Sequence, residues 1–368
     1  NGVLINTHDE GDNRTYHWQT KSVHNTYGIA LNIAPYKQMT TQFTSIYGNT
    51  YPLTYYYLPE KEDKAKALFD ELPEMITFFE RMIGPYPFAD EKVGIVQTPH
   101  LGMEHQTINA YGNQYRKDDG GYDWLMQHEF AHEWFGNQLT NDNWDHMWLH
   151  EGFGTYMQPL YAQYLHGNEA YFVKLNAQRK GLANAHPIVS NTLMSEEDVY
   201  EKGPAGDIYA KGAWVIHTLR GVMGDDAFFR SVTELVYGRT DPKPGNFKPI
   251  FANTQDFIDI VNKHSESNLD WFFDVYLFSA ALPELTMTRH KDGVTFAWKT
   301  DNNLPFPMPL EVSINGKITE LDMQTAFSLP VSQFDTVIAD PNSKVLRYEQ
   351  RYEDYKAWIK ENSNTKKK

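Results

Sequence analysis

Cysteine is absent from all 368 residues. That excludes a disulfide framework and thiol chemistry, and leaves only His and carboxylates to build a metal site. An initiator Met is missing as well, so we expect a processed or excised piece. Long apolar runs are also lacking. The nearest, Trp271 to Leu282, is short and carries Asp274, so no membrane span is expected. Positive charge is the minority sign: 33 Lys and Arg stand against 48 Asp and Glu, a net charge of −15. This balance argues against a nucleic-acid surface. There is no internal repeat. What remains is a globular composition, 41% hydrophobic and 14% aromatic, long enough for two or three domains. We expect a soluble protein, either cytoplasmic or, after processing, periplasmic or secreted; the sequence does not choose among these.

One stretch carries chemistry, Trp124 to Tyr156. It holds His128, Glu129 and His132, and later Glu151. Residues four apart lie on one face of a helix, so His128 and His132 can direct two imidazoles at one metal ion. A catalytic zinc keeps three protein ligands and one open position. Glu151, 19 residues after His132, is the candidate third ligand. Glu129 lies next to the first ligand and suits a base beside the open position. HExxH alone arises by chance roughly 0.03 times in a chain of this composition; a Glu at one fixed later place lowers that to about 0.002. The competing reading is two core histidines on a buried helix.

Around this stretch the pattern changes twice. Residues 1–58 read as strands, at Tyr16–Trp18, Gly28–Ile33, Met39–Phe43 and Leu53–Leu58. From Pro59, helical spacing runs over Lys61–Leu72 and Glu74–Ile83, then strands at Lys92–Gln97 and 106–111. Asp123 is a plausible N-cap for the metal helix, which is apolar on most sides through Phe135 and so expected to be buried. Residues 169–207 look mixed. Helices are expected at about 208–221, 225–238, 255–265 and 269–279. After Pro283, short alternating segments through Val345–Tyr348 suggest a small β-sandwich. From Glu349 the chain is charged and ends in Lys366–Lys368, the usual look of a solvated or disordered terminus. The expected organisation is 1–58 a partial β domain, 59–282 a catalytic domain, 283–350 a small β-sandwich and 351–368 a charged tail.

HEFAH, then 18 residues, then Glu151 within Trp148-Leu149-His150-Glu151-Gly152 resembles the zinc aminopeptidases of the aminopeptidase N family, which are gluzincins. The leukotriene hydrolase branch is similar through Trp144-Asp145-His146 and Trp148-Leu149. Gly102-Met103-Glu104-His105 resembles the family's GxMEN loop, and Tyr209-Ala210-Lys211-Gly212-Ala213 its YxKG segment. The match spans about residues 59–280. It implies an α+β multidomain fold, with a thermolysin-like, mainly helical zinc catalytic domain flanked by β segments.

The resemblance also implies roles. His128, His132 and Glu151 would bind one zinc ion per chain, Glu129 would act as general base, and Tyr209 would hydrogen-bond the oxyanion. Gly102, Met103, Glu104 and His105 would bind substrate, with Glu104 holding the free α-ammonium of a peptide. The implied partners are peptides with a free amino terminus. Two features depart from the family. His105 stands where Asn is usual. The amino-terminal β domain is short and the large carboxy-terminal helical domain absent, so a missing amino-terminal segment of the same protein is a further expected partner. Two other functions stay open: a thermolysin-like endopeptidase, which does not need Glu104, and a metal-binding scaffold without turnover.

Overall fold

Alternation of Tyr and Leu with smaller residues in Thr50–Tyr57, and the run Val93–Gln97, are strand patterns of different kinds. The first suits a sheet with one covered face. The second is apolar on both faces, as parallel strands are. A computed structural model of the chain, describing residues 1–245 and 247–365, joins them in one sheet. In chain order the elements begin with β1 (Val3–Glu10), β2 (Asn13–Gln19), β3 (Lys37–Thr44), β4 (Thr50–Tyr57), α1 (Glu62–Phe69) and α2 (Leu72–Met82). Then come β5 (Val93–Gln97), β6 (Gly102–Met103), β7 (Asn109–Tyr111), α3 (Trp124–Ala131), β8 (Leu139–Asn141), α4 (Trp148–His166) and α5 (Asn168–Arg179). They continue with α6 (Ala210–Met223), α7 (Asp225–Tyr237), β9 (Ile250–Ala252), α8 (Thr254–His264) and α9 (Asp270–Tyr276). The last are β10 (Glu284–His290), β11 (Gly293–Lys299), β12 (Leu310–Ile314), β13 (Lys317–Leu321), β14 (Phe327–Pro330), β15 (Val337–Ala339) and α10 (Gln350–Thr365). The class is α+β. Among the described residues, no helix is long and apolar enough to cross a membrane.

The chain divides into two compact units. The first comprises Asn1–Asp142, Leu149–Lys174 and Phe229–Phe257. Its five-stranded sheet has the order β3-β4-β5-β7-β6. β4, β5 and β7 run parallel, while β3 and β6 are antiparallel edges. Strand β6 pairs Met103 with Ala110 and Gly102 with Tyr111, and both β6 and β7 pack on α3. Behind α3 lies an aromatic core. Phe79 stacks on Trp134 at 5.1 Å, and the Trp134 indole donates to the Tyr237 hydroxyl at 2.9 Å. Phe135 stacks on Phe153 at 4.8 Å. Burying rings of this size supplies much of the stabilisation available to a metal helix that exposes little polar surface.

The second unit comprises Asn143–Trp148, Leu175–Phe228 and Ile258–Lys368. It carries the two three-stranded sheets β10-β11-β14 and β13-β12-β15, packed over Val294, Phe296, Leu310, Val312, Leu321 and Met323.

Several local expectations differ from what is found. Gly28–Ile33 is not a strand: Thr26–Gly28 is a short 3-10 turn, and the alternating Ile29, Leu31 and Ile33 are solvent-exposed. Alternation without a partner strand gives no ladder. Val345–Tyr348 is not a strand either, because its backbone bonds go elsewhere. Leu346 N–H donates to the Thr218 hydroxyl, and Tyr348 N–H to the Pro283 carbonyl. Within 169–207, α5 buries only Tyr171, Leu175 and Arg179, one residue per turn and the last of them charged, which is a faint helical signal. The expected tail is helical over Gln350–Thr365. Lys366–Lys368 lie outside the described residues.

Candidate active site

The metal helix starts as its sequence suggests. The Asp123 carboxylate accepts from the N–H groups of Leu125 and Met126, both at 3.1 Å, an N-cap worth about 1 kcal/mol. It also accepts from the Tyr111 hydroxyl, which fixes α3 to β7. The regular helix ends at Ala131, earlier than the apolar pattern through Phe135 suggests. His132 is its C-cap residue and keeps helical backbone angles. Beyond it the turn widens to bonds five residues apart, from Asn137 N–H to the His132 carbonyl and from Gln138 N–H to the Glu133 carbonyl. The four-residue spacing of His128 and His132 is preserved.

Their two Nε2 atoms lie 3.2 Å apart, and Glu151 Oε2 is 3.5 Å from each. Ligand atoms from all three residues fall within 4.8 Å of one another. The His132 Nδ1 is 2.9 Å from the Phe135 carbonyl. A carbonyl only accepts, so Nδ1 carries a proton, and with a cation bound Nε2 would be the ligand atom. Without a cation, burial opposes charge on the ring, but Glu151 outweighs it, raises the imidazole to about 10 and holds a proton on Nε2. Glu151 Oε2 is buried with no hydrogen-bond partner of normal geometry among the described residues. Two facing imidazole nitrogens and a bare carboxylate oxygen around one point suit a cation and are poorly satisfied without one. The donor set fits zinc.

Electrostatics agree. Burial alone would raise the Glu151 carboxyl, yet the two imidazoles hold it well below the usual carboxylate range. Burial pushes the Glu129 carboxyl well above that range; His132 opposes this, and Glu104 and Glu151 add to it. Glu104 directly follows β6, the edge strand that packs on α3. Its backbone is fixed by Asn137, whose side-chain amide donates to the Glu104 carbonyl at 2.9 Å. The Tyr27 hydroxyl donates to Glu104 Oε1 at 3.1 Å.

Gly102 and Met103 form the edge strand β6, and Gly102 is where that strand meets the base. A Cβ there would lie 2.3 Å from Glu129 Oε1. Gly102→Ala is expected to displace the Glu129 carboxylate and lower kcat about 10- to 100-fold with metal content unchanged, checked by steady-state kinetics and metal analysis. Gly154 is similarly close to the ligands, since a Cβ there would lie 3.0 Å from His132 Cε1.

His105 is a neutral imidazole, lowered by burial and by His100 to about 4. His150 is lowered by burial to about 3, and its Nε2 accepts from Asn141 N–H at 3.0 Å, so it anchors β8. Tyr209 belongs to the second unit, at the N-cap of α6, with its hydroxyl 3.4 Å from that of Tyr200.

Sequence reasoning missed Glu133. It is fully buried and accepts from Thr107 N–H at 2.9 Å and from the Asn109 amide at 2.7 Å, tying the end of the metal helix to β7. A carboxylate in the apolar run Phe130–Phe135 was the available signal. Tyr27, Asn137 and Gly154 had none.

The family model for the peptidase family M1 domain matches residues 69–276. The chain belongs to peptidase family M1. Among its curated M1 relatives is Aminopeptidase 2, mitochondrial, of Saccharomyces cerevisiae, 24% identical over 297 residues, covering 74% of this chain and 29% of the yeast protein. Legionella pneumophila aminopeptidase A, solved in complex with aspartic acid, shares the fold at a TM-score of 0.76 and 18% identity, covering 95% of this chain and 43% of that one. An M1 zinc metallopeptidase from Deinococcus radiodurans, solved with a Tyr-Ser-Ala substrate, matches at a TM-score of 0.61 and 21% identity, over 76% and 60% of the two chains. This M1 chain thus spans less than a third of the yeast relative's length.

Proposed function

We propose that this chain is a zinc metallo-aminopeptidase that hydrolyses the amino-terminal bond of peptides. The observation that carries the reading is Glu104, a buried carboxylate fixed by Tyr27 and Asn137 directly after strand β6. That strand packs on the helix bearing His128, Glu129 and His132, and its Gly102 abuts Glu129. A fixed carboxylate there holds a free α-ammonium and sets the register of the substrate, with the first peptide bond at the metal. An endopeptidase would gain nothing from a buried anion at that point.

When bound, zinc supplies a Lewis acid that acidifies water and polarises a carbonyl oxygen. Glu129, with its proton affinity raised by burial, takes a proton from the attacking water and passes it to the leaving amine. The Tyr209 hydroxyl donates to the oxyanion. The backbone of β6 pairs with an extended peptide as an edge strand does. His105 is neutral and so adds no charge that would repel the ammonium.

Aminoacyl anilides measured against their N-acetylated counterparts test this. Free-amine substrates are expected to be cleaved and blocked ones not; preferential cleavage of blocked peptides would overturn the reading in favour of an endopeptidase. Glu104→Gln is expected to raise KM about 10- to 100-fold, the loss of one hydrogen bond to a charged group, with a smaller effect on kcat.

A further inference from the structure

Lys211 is a buried cation with no evident reason to be there. It is fully buried, and its ammonium donates to two neutral carbonyls, Ala280 O at 2.8 Å and Ser279 O at 3.2 Å. It sits in the first turn of α6, where the helix dipole disfavours positive charge. Burial lowers the Lys211 ammonium to about 8 even though the Asp207 carboxylate favours its charge, a cost that a Met side chain filling much the same space would not carry. Packing therefore does not account for the residue.

Asp207, four residues earlier, is buried to 1% exposure. Its two carboxylate oxygens accept from the N–H groups of Ala183 at 2.7 Å and Asn184 at 2.6 Å. These two charged residues flank Tyr209 symmetrically, two positions before and two after. At about 100° per residue in α6, Lys211 projects from the side opposite Tyr209, while Asp207, in the 3-10 turn Ala205–Ile208 at about 120° per residue, lies about a third of a turn round from it. Each grips a different stretch of chain, 183–184 on one hand and 279–280 on the other. The turn itself is short: Tyr209 N–H bonds the Gly206 carbonyl at 3.2 Å, and Ala213 N–H bonds the Tyr209 carbonyl at 2.9 Å. Held at two points on faces other than that of Tyr209, it has little freedom to rotate or slide.

We infer that Asp207 and Lys211 are positioning residues, a two-point clamp that fixes the Tyr209 hydroxyl where its role demands. The inference rests on the assignment of Tyr209 as oxyanion donor. Hydrogen-bond donors to an oxyanion act through placement, and a misplacement of about 1 Å costs on the order of 100-fold in rate. A buried ion bonded to backbone groups is a stiffer tether than an apolar contact, because it has directional partners.

The experiment compares Lys211→Met, Asp207→Asn, Tyr209→Phe and the Lys211→Met/Tyr209→Phe double variant in the zinc-loaded chain. Two quantities are read: kcat and KM on an aminoacyl anilide, and affinity for a phosphinic dipeptide that mimics the tetrahedral geometry. The clamp predicts that Lys211→Met lowers kcat about 10- to 100-fold with KM within about twofold. It also predicts weaker phosphinate binding, and no further loss when Tyr209→Phe is added. Asp207→Asn, which keeps one acceptor oxygen, is expected to show the same pattern more weakly and serves where Lys211→Met fails to fold. Losses that multiply in the double variant, or a lowered melting temperature with kcat and phosphinate affinity unchanged, overturn the clamp. If Tyr209→Phe alone matches the wild type in both readouts, the oxyanion assignment fails and the clamp with it, while the zinc and Glu129 readings stand or fall separately.

Discussion

Glu129→Gln is expected to lower kcat on aminoacyl anilides by about 100- to 10,000-fold, the usual contribution of a positioned general base. Bound zinc should be unchanged, because the three donor residues are untouched. The argument turns on what the amide lacks. Gln keeps the volume and one hydrogen-bond acceptor, but it cannot take a proton from water near neutral pH. Burial and the neighbouring Glu104 and Glu151 are what make the native carboxylate a stronger base than an exposed one. The same change removes one of three buried carboxylates, so substrate affinity should not weaken greatly. Metal analysis alongside kinetics separates the outcomes. Full activity in a zinc-loaded Glu129→Gln chain would eliminate the residue as the base, and loss of zinc would mean that it helps to hold the metal.

The donor group was legible because its geometry is local. His128 and His132 face one way by helical spacing alone, and Asp123 caps the helix with its own next residues. The third residue of the donor group, Glu151, lies on the next α-helix, close in sequence. The supports of the site were not legible, because each reaches across the chain. Asn137 meets the Glu104 carbonyl over 33 positions and Tyr27 meets the Glu104 carboxylate over 77. No periodicity encodes such pairs. The same limit explains α10. Its residues look like a solvated charged run, yet Tyr352 packs on the Arg179 guanidinium at 4.6 Å, with Trp214 at 4.8 Å on that same group. An aromatic sandwich around an arginine supplies order that composition does not reveal. Conversely, Ile29, Leu31 and Ile33 alternate as a strand would and form none, since a period of two specifies a face only when a partner strand exists.

Removal of the metal should be visible in stability as well as in rate. A ligand that binds only the folded chain stabilises it by roughly 4 kcal/mol when its free concentration is 1,000 times Kd. A chelator is therefore expected to lower the melting temperature of the first unit by several degrees, and added zinc to restore it. The site itself predicts the direction. Glu104, Glu129 and Glu151 are all buried around two imidazoles, and a divalent cation offsets the repulsion among them. Glu151→Gln is expected to abolish the chelator-dependent shift at the same zinc concentration, because the amide retains the shape of the ligand but not its charge. Differential scanning calorimetry with and without chelator, on wild type and variant, reads both effects. A variant that keeps the full shift would show that Glu151 is not a ligand. An unshifted wild type that contains zinc before chelation and none after it would mean that the metal contributes nothing to the fold, and the facing imidazoles would then need another partner.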